Sequence, residues 1–349
     1  MINEIKHQID MLCKLKYKKS ELDYLRSLGY FKEDFIEFLS MFKLNKEHIE
    51  ISYVYGKLGI EIKGSWVYIM MFEIYLMSII SEVYFEHTTK DSIDTVWDCG
   101  KKNLSVKIDQ IKQFNGKCGN NPLFKFSEFG GRRRFSKEWH KYVLEQLIKH
   151  VPVNLTGTSN VMFAKEFGIT PIGTQAHEFF MAHQALDCRL INSQKTALQV
   201  WADEYRGSLG IALSDTICMD AFLKDFDLYF AKLFDGVRHD SGSPYVWCDK
   251  LCSHYEHLKI NPLSKTAVFS DGLTITSAIE LFEHFHNRIN VSFGIGTHLT
   301  NDVGVVPLNH VIKITKCNGQ DVAKISDSEG KTMCKNESYV NYLKSVFGV

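Results

Sequence analysis

FGGRRRFS (Phe129–Ser136), GTSN (Gly157–Asn160), GTQAHE (Gly173–Glu178), RHDSGSP (Arg238–Pro244) and FGIGTHLT (Phe293–Thr300) each follow an apolar, strand-like run. Small residues, cations, carboxylates and a histidine recur in them where strands should end and helices begin. Around them the chain runs strand, polar turn, amphipathic helix. Strand candidates are Gly210–Leu213, Tyr229–Leu233, Thr266–Phe269 and Asn290–Phe293. After Asp271-Gly272, Ile275, Ala278, Ile279, Phe282 and Phe285 fall on one helical face. This alternation predicts parallel strands with helices outside. In an α/β barrel the strand ends converge on one face, so these distant clusters would share one site. The region is shorter than the roughly 200 residues of a minimal eight-fold barrel, so the expected fold is an irregular α/β barrel.

Outward from that core, the first third reads as a smaller α+β portion. Tyr17–Phe42 carries Leu22, Leu25, Phe31, Phe35 and Phe38 at helical spacing. The run from Ile49 to Ile62 alternates around Gly56-Lys57 as a β-hairpin. Ser65–Glu86 is the most membrane-like run, but Glu73 and Glu82 interrupt it, so a buried core helix at Trp66–Glu86 is expected. The tail, VIKITKCNGQDVAKISDS, has a hairpin turn at Asn318-Gly319 and is expected to pack on the N-terminal portion. The expected organisation is residues 1–105 as the N-terminal portion, 106–306 as the barrel with the active site, and 307–349 completing the small domain.

Composition narrows the function. Lys+Arg and Asp+Glu balance at 41 each over 349 residues, so no overall basic field favours nucleic acid or anionic membrane. Nine cysteines without a CxxC pair point to reduced thiols in a cytoplasmic protein. The charged start, MINEIKHQIDMLCKLKYKKSELD, has no signal-peptide apolar block.

Each candidate residue has a structural reading beside the functional one. His177 stands near the start of a helix, where a neutral imidazole is favoured as nucleophile or base; capping is the alternative. Arg132, Arg133 and Arg134 after two glycines form an anion clamp or a solvated basic turn. Phe129 can stack on a flat ring or serve the core. Arg238 and Asp240, two apart at a strand end, address one ligand together or form a local ion pair. Asp215 and Asp271 are placed for Mg²⁺ or ribose hydroxyls, or for helix capping. Gly294, Gly296 and Thr297 form a turn whose backbone N–H groups suit a phosphate.

Taken together, GTSNVMFAKEFGITPIGTQAHEFFMAHQ, GIALSDTICMDAF, RHDSGSP, VFSDGL and FGIGTHLTND resemble, in order, the bacterial-type nicotinate phosphoribosyltransferases. The resemblance implies a type II phosphoribosyltransferase barrel and a homodimer. It also implies synthesis of nicotinate mononucleotide from nicotinate and phosphoribosyl pyrophosphate, driven by ATP through a phosphorylated histidine at His177. It further implies Phe129 stacking on the pyridine, Arg132 holding ligand anions, and Ser159 beside the base. Arg238 and Asp240 would serve base and ribose, with Asp215, Asp271 and Gly272 around the ribose. Gly294, Gly296 and Thr297 would hold the 5′-phosphate. Mg²⁺ would be carried by phosphoribosyl pyrophosphate, against Asp271 or Asp240. Two departures stand out. No Asp-x-Tyr-Lys motif precedes Tyr17–Phe42, so the chain is expected to start a few dozen residues late. Ser243 replaces the aspartate of DSGDP. The alternative that follows is a catalytically silent truncated homologue with a binding or regulatory role.

Overall fold

The computed structural model describes residues 1–118, 124–186 and 188–349 as two compact units. The first comprises Met1–Lys101, Gly131–Tyr142 and Thr300–Ile312; the second comprises Lys102–Gly130, Val143–Leu299 and Lys313–Val349.

In the first unit, helices Ile2–Leu12, Lys19–Ser27 and Glu33–Met41 bury Ile5, Ile9 and Leu12, then Leu22 and Leu25, then Ile36 and Leu39. These residues recur every three or four positions and meet Phe42, Leu44, Phe72 and Leu76 in one apolar cluster. The hairpin pairs β1 (Ile49–Val54) with β2 (Lys57–Ile62). Val54 faces Lys57, so the turn is Tyr55-Gly56, one residue earlier than expected, with φ of 50° and 77°. Both values lie in the left-handed region that two-residue hairpin turns require.

The apolar run after the hairpin forms helices Trp66–Ile69 and Phe72–Thr88. By length and composition Trp66–Thr88 could cross a membrane. Its second helix, however, buries Phe72, Leu76, Met77, Val83 and Phe85 within the protein. Two of its three carboxylates hold the arginine cluster: Arg132 Nη1 lies 3.1 Å from Glu73 Oε1, and Arg134 Nε lies 2.7 Å from Glu82 Oε1. Arg133 Nε donates to the His310 carbonyl at 2.9 Å. Buried apolar residues and acids paired with protein arginines mark a helix packed within the protein, while Val67, Tyr68, Ile74 and Tyr75 stay exposed.

The second unit is built on six parallel strands: β3 (Phe126–Glu128), β4 (Leu155–Thr158), β5 (Ile211–Leu213), β6 (Gly236–His239), β7 (Thr266–Phe269) and β8 (Asn290–Ile295). Their order is β4-β3-β8-β7-β6-β5. Because all run the same way, their carboxyl ends share one edge. Helix Ile275–Phe285 buries Ile275, Ala278, Phe282 and Phe285 along the predicted face, with Leu281 beside them.

Two expectations about strands are corrected. Tyr229–Leu233 is not a strand but lies in helix Leu228–Leu233, capped by Asp227, whose Oδ1 accepts from the N–H groups of Tyr229 (3.0 Å) and Phe230 (3.4 Å). The strand is β6, three residues later. No strand precedes GTQAHE among the described residues. Instead the segment before His177 spans the gap between the sheet's outer strands. On one side Thr158 of β4 exchanges backbone hydrogen bonds with Thr170 (3.1 Å) and Ile172 (2.9 Å). On the other, the Leu213 N–H of β5 donates to Gln175 Oε1 at 3.0 Å. A Cβ at Gly157 would stand 2.0 Å from the Thr170 carbonyl, so only glycine admits this approach.

The tail hairpin, β9 (Lys316–Cys317) and β10 (Gln320–Asp321), turns at Asn318-Gly319 as read from the sequence. Its continuation belongs to the second unit, a correction to the expected packing on the N-terminal portion. Ala323, Ile325, Val340, Leu343 and Phe347 cluster with Ile217 and Ala221, just beyond β5.

Candidate active site

The strands of the large sheet end in short junctions: Phe129-Gly130 after β3, and pairs with at least one polar side chain after the rest, Ser159-Asn160 after β4, Ser214-Asp215 after β5, Asp240-Ser241 after β6, Ser270-Asp271 after β7 and Gly296-Thr297 after β8. His177, the first residue of helix His177–His183, arrives from the segment that spans the sheet gap.

His177 and Asp215 are both buried, with Nε2 2.8 Å from Asp215 Oδ1 and 3.6 Å from Asp240 Oδ2. The other oxygen of Asp215 accepts from Ser241 Oγ at 2.6 Å and pairs with Lys324 Nζ at 2.9 Å. Burial lowers the His177 pKa, against the opposing pull of Asp215, and so favours a neutral ring. Burial also opposes ionisation of Asp215, but His177, Lys324 and Ser241 outweigh it and keep the carboxyl ionised well below its ordinary range. With a carboxylate against Nε2, the proton of the neutral ring sits on Nε2 and the lone pair on Nδ1.

Asp240 Oδ1 accepts from Ser270 Oγ at 3.0 Å, and Oδ2 lies 3.8 Å from Arg238 Nη2. Burial pushes its pKa up, yet the Arg238 guanidinium and other nearby cations bring the balance below the usual value. Arg238 Nη1 donates to Thr174 Oγ1 at 2.7 Å, while its buried Nε has no partner among the described residues. That donor suits an incoming acceptor. Asp271 Oδ2 pairs with Lys331 Nζ at 2.7 Å, and Gly272 beside it is exposed at φ +60°.

The proposed phosphate turn divides. Gly294 lies within β8, where a Cβ would come 2.4 Å from the Phe129 ring, so this glycine makes room for the aromatic. Gly296 and Thr297 form the actual junction between strand and helix. Ser159 is exposed, and its N–H donates to the Glu128 carbonyl at 2.8 Å. Arg132 belongs to the first unit, where Glu73 pairs with it. Ser243 caps helix Pro244–His257 by accepting from the Val246 N–H, a task the family's aspartate performs equally well.

Three residues escaped the sequence reading. Glu128, fully buried, accepts from Thr158 Oγ1 at 2.5 Å and from the Gly130 N–H, tying two strand ends together. Lys324 and Lys331 reach two strand-end carboxylates from the tail. The signal for Lys324 was a lysine inside the apolar run VAKI; such a cation is buried only when paired.

His177, Asp215 and Asp240 present ligand atoms within 4.8 Å of one another. As a Mg²⁺ cage this set fits poorly, because Asp215 is already engaged by three donors and an imidazole is a soft choice for this ion. A single carboxylate, Asp240 or Asp271, fits an ion that arrives on substrate phosphates.

A parallel sheet that gathers a histidine–aspartate pair, an unsatisfied arginine donor and separate carboxylates at its carboxyl edge defines an α/β-barrel-type enzyme. Comparison with known proteins makes this specific. The model of the nicotinate phosphoribosyltransferase (NAPRTase) family matches residues 124–349, and the model of its N-terminal domain matches residues 1–81. A nicotinate phosphoribosyltransferase of Acinetobacter baumannii is 52% identical over 351 residues, covering 100% of this chain and 86% of the relative. One from Chromobacterium violaceum is 49% identical, covering 99% and 86%. The crystal structure of nicotinate phosphoribosyltransferase from Vibrio cholerae superposes with a TM-score of 0.95 at 40% identity, covering 100% of this chain and 84% of that one. The chain belongs to the nicotinate phosphoribosyltransferase family. The match to the N-terminal domain runs from residue 1 to residue 81, and the chain spans 86% of the length of these two relatives.

Proposed function

We infer that this chain is a nicotinate phosphoribosyltransferase of NAD salvage whose His177 accepts a phosphoryl group from ATP. The single observation that carries the mechanism is the buried row His177–Asp215–Lys324, which leaves Nδ1 of His177 as the nitrogen with a lone pair. In the first step that lone pair attacks the γ-phosphorus of ATP. The N–P bond forms as the bond from phosphorus to the β,γ-bridging oxygen breaks, and its electron pair leaves with ADP. The ring becomes cationic, and Asp215 steadies it through the Nε2 proton. Water later attacks phosphorus, releasing phosphate and returning the pair to Nδ1.

In the transfer itself, the bond from ribose C1 to pyrophosphate breaks with its electron pair on pyrophosphate. The nicotinate ring nitrogen supplies the pair for the new C–N bond. Asp240 and Asp271 stand where carboxylates tolerate charge developing on the sugar. Arg238 offers its spare donor to the base, Phe129 a stacking face, and Ser159 a hydroxyl beside it. Gly296 and Thr297 take the 5′-phosphate, Gly272 lets the ribose approach, and Arg132 supports ligand anions. Mg²⁺ bound to pyrophosphate, held by Asp240 or Asp271, would neutralise the leaving group. Dimer formation and a cytoplasmic location complete this reading.

The silent-homologue alternative is set aside, since the histidine–aspartate row is intact and relatives about half identical over the whole chain are nicotinate phosphoribosyltransferases. The test is nicotinate mononucleotide formation by this chain with phosphoribosyl pyrophosphate and Mg²⁺, with and without ATP. ATP-stimulated product is expected. Folded protein that yields none under either condition would overturn the assignment.

A further inference from the structure

Lys324 enters the site from the tail, and its neighbours fix its aim. The Ala323 N–H donates to Gln184 Oε1 at 2.9 Å, and Gln184 Nε2 donates to the Ala323 carbonyl at 2.7 Å. Gln184 directly follows helix His177–His183. On the other side, the Ile325 N–H donates to the Thr216 carbonyl at 2.8 Å, next to Asp215. The tail is therefore bonded to the element that carries the histidine and to the strand end that carries the aspartate. Between those anchors, Lys324 is only 5% exposed and meets Asp215 Oδ2 at 2.9 Å. A second donor to the same oxygen is equally fixed, because Ser241 Oγ accepts from the Asp327 N–H at 3.1 Å and so turns its proton toward Asp215.

The two oxygens of Asp215 thus have separate duties. Oδ2 is taken by Lys324 and Ser241; Oδ1 is left for His177 Nε2. A buried carboxylate without a countercharge binds a proton or draws one onto its neighbour. In the first case the acid donates to Nε2 and the ring's own proton moves to Nδ1. In the second the ring becomes imidazolium, with protons on both nitrogens. Either way Nδ1 loses its lone pair, so the cation on the far oxygen decides whether the near side of the ring is nucleophilic.

We propose that Lys324 is a positioning residue for phosphoryl transfer: it holds Asp215 as an anion whose Oδ1 takes the Nε2 proton, which reserves Nδ1 of His177 for phosphorus. This rests on the reading of His177 as phosphoryl acceptor, but its first test does not. Long-range ¹⁵N–¹H spectra of the full chain without ATP report the proton position on each imidazole, with His177→Asn identifying the His177 signals. The wild-type ring is expected as the neutral Nε2–H form. Lys324→Met should convert it to the Nδ1–H form or to imidazolium at neutral pH, and Lys324→Arg should restore it. With ATP, phosphohistidine formation should fall at least tenfold in Lys324→Met and recover in Lys324→Arg.

A wild-type ring protonated on Nδ1 overturns the proposal without any variant. So does a Lys324→Met or Lys324→Gln protein that keeps both the wild-type tautomer and the wild-type phosphorylation rate; the glutamine tests the charge where methionine fails to fold. Absence of phosphohistidine in wild-type protein that shows the Nε2–H ring strikes the acceptor reading alone.

Discussion

Two groups of cations and carboxylates, one in each unit, show how similar residue types take on different work. In the first unit Arg132 pairs with Glu73 and Arg134 with Glu82, at 38% and 14% arginine side-chain exposure. Each pair fastens the 131–134 segment to a core helix, and water reaches part of every pair. In the second, Asp215 is 1% exposed and serves His177, Ser241 and Lys324 at once. Here the charges are not balanced in isolated pairs; their balance sets the state of a neutral imidazole. Ion pairs at intermediate burial fasten segments together, while shared, dry charges shift the protonation of their neighbours.

The comparison breaks most sharply at His177. His177→Asn should lower ATP hydrolysis by about a thousandfold or more, as loss of a covalent participant does, and phosphate release measures it. Residual ATP-stimulated synthesis at the wild-type level would place the reactive centre elsewhere. Next, Asp215→Asn leaves Lys324 buried without its countercharge. A stability loss of about 3–5 kcal/mol is expected in denaturant titration, alongside the lost activity. Glu82→Gln, on the structural side, should cost about 1–3 kcal/mol while turnover stays within about twofold. A large rise in KM for phosphoribosyl pyrophosphate in that variant would show that Arg134 serves the substrate site alongside Arg132. The smallest effect concerns pH. Because burial lowers the His177 pKa, the unfolded chain binds more protons just below pH 6.5. The contribution of this group to stability is complete above that value and declines as pH falls below it. ATP-dependent turnover should therefore hold down to about pH 6.5 and fall only below. A limb centred clearly above that value would contradict a neutral ring.

Much of the large unit was legible because its functional residues are local to strand ends. RHDSGSP and VFSDGL mark their strands, and the helical face from Ile275 to Phe285 is a plain 3.6-residue period. Tyr229–Leu233 misled because a short apolar run has no period long enough to separate helix from strand. The deciding signal was Asp227, a cap placed just ahead of it. The arginine triplet was read as an anion clamp or a solvated turn; its pairing with Glu73 and Glu82, which lie far back in the chain, was not legible locally. For Lys324 the run VAKI marks a buried, paired cation, but its partner is fixed by the path of the tail, and no local spacing encodes that path.

The gap between β4 and β5 has a mechanical consequence. A closed barrel behaves as a stiff hoop, and anything set in its wall moves only if a strand tears from its ladder. Here the strip ahead of His177 is held by two backbone bonds to Thr158 and by side-chain bonds that join Thr174 to Arg238 and Gln175 to Leu213. It can flex like an expansion joint while all six strands keep their registers. Under the proposed mechanism, the residue that gains and loses a bulky dianion is mounted on a strip outside the strand ladder.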